Sequence, residues 1–255
     1  MTEEKVIFKD SEGNKVCGVL SNPTGDKNKP IIILCHGGFP ANKGARHVVR
    51  IAEILNKKGI SVFRFDFFGH GESEGKFEDI TISMAVDDVL SSIKFLKKLG
   101  YSKIGLTGSS FGGIVALVAA SKIDNLLVLA LKSPVSNYED LELLIRGKKE
   151  IEEWKKKGYA PYEVRPGENT RLNYTFFEDF KNNNGYEAAK KINIPTLIVH
   201  GDKDESVPVE QSKKTAKIIK NCRLEIIKGA DHGYSKPEDF EKMLSLISNF
   251  IINNL

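Results

Sequence analysis

The sequence predicts an α/β protein with a mostly parallel sheet of eight strands and helices on both faces. Short apolar runs rich in β-branched residues alternate with longer segments whose apolar residues recur at helical spacing, which is the pattern of a doubly wound sheet. The run Ile31–Cys35 is apolar throughout, as expected of a strand buried on both faces. The chain has 255 residues, 40% of them apolar and 28% charged, which is enough for the core of one domain spanning 1–255.

Each predicted element has a local reason in the sequence. The first two strands form a hairpin, because the segment DSEGN between them is rich in turn-forming residues. The third strand follows Pro30, and the first two helices end at Gly59 and Gly100. Strands that alternate with helices in this way pair in parallel. In chain order, the strands are predicted at 6–8, 16–20, 31–35, 61–66, 103–108, 126–131, 196–200 and 223–228, and the helices at 48–55, 82–99, 114–120, 209–219 and 240–252.

The alternation of strands and helices stops between residues 134 and 192. No strand is predicted there, and two charged helical pieces at 139–149 and 151–157 lead into loops. Eight aromatic residues follow between Trp154 and Tyr186. An insertion of this length between two strands is usually a lid or a binding loop. We therefore predict a cap at about 134–192 on a single domain.

Composition excludes several classes of protein. The net charge is +4, but the longest basic run, residues 155–157, follows three glutamates and is typical of a solvated helix rather than of a nucleic-acid surface. The three cysteines form no metal-binding or disulfide pattern. The first ten residues lack the features of a signal peptide, and no apolar run reaches the ~18 residues of a membrane span. We expect a cytoplasmic protein with no membrane span and no nucleic-acid partner; the sequence predicts no particular oligomeric state.

Two adjacent serines, Ser109 and Ser110, lie between a predicted strand and an apolar helix. A nucleophile on a sharp strand-to-helix turn needs small residues two positions before and after it, because they crowd the turn. Ser110 has Gly108 and Gly112 at these positions, whereas Ser109 would have a threonine and a phenylalanine. An ordinary phosphate-binding turn is the alternative, but neither G-x-x-x-x-G-K-[ST] nor G-x-G-x-x-G is present. Ser110 is the candidate nucleophile.

The pattern G-x-S-x-G at residues 108–112 is the nucleophile elbow of the α/β-hydrolase fold. Nearly the whole chain resembles a serine esterase of this superfamily. Two of its segments, at 36–44 and 66–75, are most similar to those of bacterial feruloyl and cinnamoyl esterases and related small acyl hydrolases. The matching segments are HGGFPANKG at 36–44, DFFGHGESEG at 66–75, the elbow, HGDKDESVP at 200–208 and KGADHGY at 228–234.

A serine hydroxyl needs a base to act as a nucleophile, and the base needs an acid to orient it. In this fold the acid follows the serine along the chain and the histidine comes last. His200 precedes the candidate acids, so His232 is the predicted base. Asp202 and Asp204 both lie in the loop after the strand 196–200. The resemblance of H-G-x-x-D-x-x-V-P to the acid loop of the superfamily implies Asp204, with Asp202 as a turn-former.

An attacked ester carbonyl becomes an oxyanion that preorganised backbone N–H groups stabilise. The amide of Phe111, directly after the nucleophile, is one predicted donor. The second donor comes from the loop after the third strand, where Gly38 and Phe39 remain alternatives because HGG carries one more glycine than the H-G-F common in the esterases it resembles. We interpret His36 and His70 as structural, since neither fits the order of roles.

The predicted function is hydrolysis of a small-molecule carboxylic ester through a serine acyl-enzyme, with no metal or organic cofactor. A thioesterase, a monoglyceride lipase or lysophospholipase, and a small peptidase of the same fold are alternatives. A prolyl-oligopeptidase-like enzyme is disfavoured, since such enzymes usually carry a large extra domain for which 255 residues leave no room. Dehalogenases of this fold need an aspartate in place of Ser110. A non-catalytic ligand-binding member is the alternative from another class, and a broken triad is its usual mark.

The aromatic residues of the cap predict the acyl preference. Some pack the cap onto the sheet, and others line the site that the cap covers, where apolar walls suit a planar or hydrophobic acyl group. We expect Trp154, Tyr159, Tyr162 and Tyr174 to contact substrate, with aryl-acrylate or medium-chain acyl esters preferred over acetyl and long-chain esters.

Overall fold

A twisted sheet of eight strands forms the centre of the molecule, for which a computed structural model describes residues 3–38, 40–165 and 168–255. Across the sheet the strand order is β1-β2-β4-β3-β5-β6-β9-β10, and β7 and β8 form a separate ribbon. This confirms the predicted eight-stranded sheet, although β6 starts at Leu129 rather than at 126. The strands are β1 (Glu3–Lys9), β2 (Lys15–Ser21), β3 (Ile31–Cys35), β4 (Ser61–Phe65), β5 (Ile104–Ser109), β6 (Leu129–Lys132), β7 (Tyr159–Arg165), β8 (Glu168–Asn173), β9 (Thr196–Gly201) and β10 (Cys222–Ile227).

Strand direction brings the functional loops to one edge of the sheet. β1 pairs with β2 and β2 with β4 in antiparallel fashion, whereas every other neighbouring pair of the large sheet is parallel. The carboxyl ends of β3, β5, β6, β9 and β10 therefore point to the same edge. Ligands of open α/β sheets bind at this edge, where the strand order reverses.

Helices cover both faces of the sheet, as predicted. On one face α1 and α8 pack against apolar side chains such as Ile32 and Leu34 of β3, and on the other face α2 and α3 pack against Ile31 and Ile33. All ten residues of α3 are buried, because this helix lies against the middle of the sheet. The helices are α1 (Arg46–Lys57), α2 (Ile82–Lys98), α3 (Phe111–Ala120), α4 (Tyr138–Lys157), α5 (Thr175–Glu178), α6 (Gly185–Ala189), α7 (Val209–Ile218) and α8 (Pro237–Asn253).

The segment between β6 and β9 differs from the prediction in two respects. Gly147, with φ of 68°, interrupts α4, so the break between the two helical pieces lies inside the first predicted piece, 139–149, and not at residue 150. The prediction that the segment holds no strand was wrong, since β7 and β8 form an antiparallel ribbon. Pro161 lies inside β7, and proline argues against a strand unless the strand is at an edge. Each strand of a two-stranded ribbon is an edge strand, so a proline in β7 is tolerated.

The apolar residues of the cap belong to the same buried cluster as one face of the sheet, and polar contacts join the cap to residues before and within the first turn of α2. Trp154 of α4 is 1% exposed, and its indole Nε1 donates to the carbonyl of Leu172 at 2.9 Å. Arg171 of β8 donates to both carboxylate oxygens of Glu78, at 2.7 and 2.9 Å. The hydroxyl of Ser83, in the first turn of α2, donates to the Asp179 carboxylate at 2.6 Å. Apolar packing thus joins the cap to the domain, and surface polar contacts add to it.

Replacing Trp154 by alanine should lower the free energy of unfolding by about 3–5 kcal/mol, because it removes the largest side chain of the cap interior and leaves a cavity. Urea unfolding followed by circular dichroism measures the change. Tyr159→Ala is the control, since Tyr159 is in the same cap but 44% exposed, and it should cost far less. Equal stability of the two variants would show that Trp154 does not organise the cap.

Candidate active site

The backbone of Ser110 is strained at the junction of β5 and α3. Its φ of 53° and ψ of −113° lie in a region that residues other than glycine rarely occupy, at a cost of about 1–3 kcal/mol. Hydrogen bonds hold it there. The Ser110 N–H donates to the carbonyl of Lys132 at 3.0 Å, and the Ser110 carbonyl accepts from the amides of Gly113 at 2.9 Å and Val135 at 3.1 Å. Ser109, by contrast, belongs to β5 and is 4% exposed.

Two glycines make room for this turn, as the sequence predicted. A Cβ on Gly108 would overlap the carbonyl of Gly112, and a Cβ on Gly112 would overlap the carbonyl oxygens of Cys35 and His36. The turn therefore presses α3 directly against the end of β3, and no side chain fits between them.

The structure brings Asp204 and His232 together. Nδ1 of His232 lies 2.7 Å from Oδ2 of Asp204. A carboxylate accepts hydrogen bonds and cannot donate them, so Nδ1 carries the proton and Nε2 is left with its lone pair. His232 and Ser110 line the same cavity. A serine–histidine–aspartate system requires such a contact between its histidine and its carboxylate.

Asp204 is held ionised by its surroundings. Burial alone would raise the pKa of this carboxyl, but hydrogen bonds from His200 and His232 and from the Val207 amide outweigh burial and lower the pKa. Oδ1 accepts from the amides of Ser206 at 3.0 Å and Val207 at 2.8 Å, and Oδ2 lies 3.1 Å from Nε2 of His200. Sequence reasoning rejected His200 as the base and missed this supporting contact, which depends on the loop curling back over the end of β9.

Asp202, the other candidate acid, has a different partner. Its carboxylate accepts from the backbone amide of Gly229, in the loop that follows β10. It therefore links the two loops that carry Asp204 and His232, whereas the predicted turn-former would bond to its own backbone about two residues on.

The candidate oxyanion donors lie at the start of α3 and at the end of β3. Phe111 is the first residue of α3, and the amides of the first helical turn have no acceptor within the helix. Gly38 lines both cavities beside Ser110, and the position of its missing Cβ is 3.6 Å from the Cβ of Phe111. Phe39, the alternative second donor, lies outside the described residues.

His36 supports the loop that carries Gly38. Its Nε2 accepts from the amide of Phe67 at 3.1 Å, so its Nδ1 carries the proton and donates to the carbonyl of Gly37 at 2.6 Å. Burial first, and then the neighbouring His70, lower the pKa of His36 to about 3, which keeps the ring neutral. His70 is also buried, and its Nδ1 lies 2.9 Å from the carbonyl of Phe68. His36 thus has a structural contact at each ring nitrogen, whereas His70 also lines the smaller cavity beside Ser110, and a structural role for it stays a prediction.

Two cavities meet at Ser110. The first has a volume of about 160 Å³ and mostly apolar walls. One buried carboxylate, Glu142, interrupts these walls and accepts from Arg146 at 2.7 Å. The apolar lining comes from the sheet edge and from the cap, and consists of Phe77, Ile80, Phe111, Val135, Tyr138, Leu141, Ile145, Tyr162, Leu172, Phe176 and Val207.

The second cavity is larger, about 500 Å³, and more polar. Ser110 and His232 both line it, and so do Ser109, His47 near the start of α1 and Lys132 at the carboxyl end of β6. The two cavities share Ser110, Gly38, Tyr138, Tyr162 and Ser206 and differ in the rest of their lining and in its polarity.

Of the four cap aromatics expected to contact substrate, Tyr162 lines both cavities. The other three do not line either cavity in the described part of the chain, which corrects the expectation. Trp154 packs inside the cap, Tyr174 stacks on Phe177 with ring centroids 5.5 Å apart, and Tyr159 lies on the surface. They serve the cap itself because α4 and the ribbon pack on each other around Trp154.

Sequence reasoning missed Tyr138, which lines both cavities. Its ring contacts Phe111, Phe176 and Phe180, with centroid distances of 6.2, 5.2 and 5.4 Å. A signal was present, because this tyrosine is the first aromatic residue after β6 and directly follows Asn137, whose side chain caps α4.

The described residues 3–38, 40–165 and 168–255 contain no group of three or more histidine, cysteine or acidic side chains arranged to hold a metal ion. None of the helices in the same ranges has the length and apolar character needed to cross a membrane. The absence of a cofactor stays a prediction.

The chain is similar to several known α/β-hydrolases. The model of the prolyl oligopeptidase family matches residues 46–255. The mitochondrial palmitoyl-protein thioesterase ABHD10 of Bos taurus is 27% identical over 243 residues, which cover 88% of this chain and 74% of that protein. Est1E from Butyrivibrio proteoclasticus, solved with ferulic acid bound, has a TM-score of 0.81 at 27% identity and covers 98% of both chains. Mouse α/β-hydrolase domain-containing protein 10 has a TM-score of 0.82 at 22% identity, over 98% of this chain and 99% of that one, and shows the shared fold.

These similarities confirm the predicted resemblance to α/β-hydrolase serine esterases and the predicted fold.

A methyl group on Gly112 should destabilise the protein by about 1–3 kcal/mol or more, because the atoms it overlaps are backbone carbonyls that cannot move aside. The Gly112→Ala variant and a Gly37→Ala control are compared by thermal unfolding. In the control, the nearest heavy atom to the new Cβ is 3.7 Å away, so its stability should be nearly unchanged. A Gly112→Ala variant as stable as the control would contradict the tight contact between α3 and β3.

Proposed function

The chain belongs to the prolyl oligopeptidase family, and from that premise we propose that it is a serine carboxylesterase that acts on aryl-acrylate or medium-chain acyl esters through an acyl-enzyme. It is a hydrolase of the α/β fold. The family model matches residues 46–255, so the chain belongs to the family although its 255 residues leave no room for the large extra domain that prolyl-oligopeptidase-like enzymes usually carry.

The observation that carries the proposal is the cavity shared by Ser110 and His232, with Nδ1 of His232 bonded to Asp204. In the proposed reaction, Ser110 Oγ attacks the ester carbonyl while Nε2 of His232 takes its proton. The ionised Asp204 stabilises the resulting imidazolium. The oxyanion forms between the amide of Phe111 and the loop at Gly38.

The tetrahedral intermediate then loses the alcohol. The ester C–O bond breaks, the oxygen keeps the electron pair, and the proton on His232 passes to it. Water activated by the same imidazole attacks the acyl-enzyme, and the acid is released. Each proton transfer uses one nitrogen of His232, while the other nitrogen stays bonded to Asp204.

The smaller cavity supports the proposed acyl preference. Its volume of about 160 Å³ is close to that of cavities that bind one benzene ring, so an aryl group or a chain of medium length fills it. An acetyl group would leave most of it empty. Burial raises the pKa of Glu142, against the opposing effect of Arg146, and Glu142, His70 and Ser206 are polar groups in this mostly apolar wall. Est1E, of the same fold, was solved with ferulic acid, an aryl-acrylate.

A thioesterase is the second candidate, because several curated relatives are palmitoyl-protein thioesterases. The same nucleophile and oxyanion site would serve a thioester. The two candidates are distinguished by comparing kcat/KM for an oxygen ester and a thioester of one acyl group. The predicted cytoplasmic location stays a prediction, and the name of these relatives assigns those proteins to mitochondria.

Replacing Ser110 by alanine should lower kcat for an aryl-acrylate ester roughly 10³–10⁶-fold, because it removes the member of the triad that forms the acyl-enzyme. Asp204→Asn should lower kcat for the same ester on the order of 10³–10⁴-fold, because an amide favours the wrong tautomer of His232. Matched controls are Ser109→Ala and Asp202→Asn, which alter the neighbouring serine and aspartate and should retain most activity. Full activity in Ser110→Ala, or a reversed order of the two aspartate variants, would reassign the site.

Narrowing the apolar cavity should change acyl preference. Leu141 lines this cavity, whereas Leu144, on the same helix, is 69% exposed and outside it. Leu141→Phe should lower kcat/KM for cinnamoyl and octanoyl esters about tenfold or more while sparing acetyl esters, since a misfit in an apolar pocket is worth about 1–3 kcal/mol. Leu144→Phe should leave kcat/KM for the cinnamoyl, octanoyl and acetyl esters unchanged. An equal loss on all three esters in Leu141→Phe would mean that the acyl group binds elsewhere.

A further inference from the structure

A lysine is buried beside the candidate base. Lys132, the last residue of β6, is 6% exposed, and its Nζ donates to the backbone carbonyl of His232 at 2.8 Å. The ammonium also lies 4.9 Å from the ring centroid of Tyr234. Within the described ranges, no carboxylate comes within 4.0 Å of this nitrogen. A buried cation without a paired anion is costly, so the arrangement points to an anion that comes from outside the chain.

The position of Lys132 identifies which part of a substrate would meet it. His232 must protonate the leaving group, so the leaving group lies in the cavity that contains its imidazole. That cavity of about 500 Å³ is the one that Lys132 lines, whereas the apolar cavity is lined by neither residue. The ammonium therefore faces the leaving alcohol and not the acyl group.

A second polar side chain, that of His47, lines the same cavity. Nε2 of His47, near the start of α1, is buried and has no hydrogen-bond partner in the described residues. Burial first, and then the charge of Lys132, lower the pKa of His47 to about 3, so its ring is neutral near pH 7. A neutral imidazole with Nε2 protonated can donate one hydrogen bond to an anion.

We propose that the part of this cavity formed by Lys132 and His47 binds a carboxylate carried by the leaving alcohol, so that the preferred substrates are esters of small hydroxy acids. One ammonium and one neutral imidazole match a single negative charge, which favours a carboxylate over a phosphate dianion. The inference rests on the proposed esterase function. In the reaction, the hydroxy acid leaves with the oxygen of the broken ester bond and the proton from His232.

The charge on Lys132 gives the preference a pH dependence. Burial lowers the pKa of Lys132 to about 8, against the opposing charges of Asp204 and Asp231. His47 and His232 also face the ammonium, but His47 is neutral throughout this range. Below pH 8 the ammonium is charged and holds the carboxylate, and as the pH rises through about 8 it loses its proton and the preference declines.

The experiment compares the cinnamoyl esters of glycolic acid and of glycolamide. Their leaving groups have nearly the same shape and differ in charge. Each kcat/KM is divided by the rate constant for alkaline hydrolysis of the same ester, which removes the difference in intrinsic reactivity. At pH 7 the normalised ratio should favour the glycolate ester about tenfold to a hundredfold, the range expected for a hydrogen bond between charged groups.

Two variants test whether Lys132 causes the preference for the glycolate ester. Lys132→Met should bring the normalised ratio close to one, because methionine keeps the volume and loses the charge. Lys203→Met removes the same charge from an exposed position in the Asp204 loop, outside both cavities, and should keep the ratio. If Lys132 only positioned the His232 loop, Lys132→Met would slow both esters equally and leave the ratio unchanged, which would overturn the proposal.

The unmodified protein provides a test that does not depend on the folding of a variant. Its normalised ratio should decline toward one between pH 7 and 9, and a ratio of one at pH 7 or a ratio constant over this range would overturn the inference. Failure to hydrolyse either ester, or other cinnamoyl and octanoyl esters, would overturn the esterase function itself. Hydrolysis of both esters without preference would overturn only the carboxylate site.

Discussion

The site depends on one strained backbone position, Ser110, and on the sheet contacts that hold it. A positive φ at a serine persists only where the surroundings over-determine it. Here the end of β6 and the residues that follow it supply an acceptor to the Ser110 amide and a donor to its carbonyl. The glycines on either side let α3 approach the end of β3. The backbone conformation at Ser110 is therefore held by the pairing of β5 with β6 and by the close approach of α3 to β3.

The last residue of β6 links both halves of this site. The carbonyl of Lys132 holds the amide of Ser110, and its ammonium holds the carbonyl of His232. Ser109 and Lys132 are also paired in the sheet, so β6 helps to position both the candidate nucleophile and the candidate base. A shift of β6 by one residue would exchange the faces of its side chains and withdraw the ammonium from the cavity.

The sequence predicted those features that depend on local pattern and residue size. The eight strands follow from apolar runs, and Ser110 is distinguished from Ser109 by the size of its neighbours. Asp204 required resemblance to an acid loop, since Asp202 has the same chemistry two residues earlier. The β7–β8 ribbon was missed because Pro161 and weak alternation hide a strand that has only one partner. The positions of Tyr138 and Trp154 depend on how the cap folds on itself, which the periodicity of its helices does not specify.

The two cavities assign substrate selection to different parts of the fold. The apolar cavity takes much of its wall from the cap, which packs on Phe111 through Tyr138 and Phe176 and is also joined to Glu78 at the surface by Arg171. Exposed ion pairs contribute little stability, so these surface contacts of the cap can change at small cost to the core. The polar cavity takes Lys132 from β6 and His47 from α1, whose side chains belong to the sheet and its packed helices. A change of acyl preference is therefore open to cap substitutions that leave Ser110 in place. A change at Lys132 acts on the strand that holds Ser110, so recognition of the leaving group is tied to the geometry of the nucleophile.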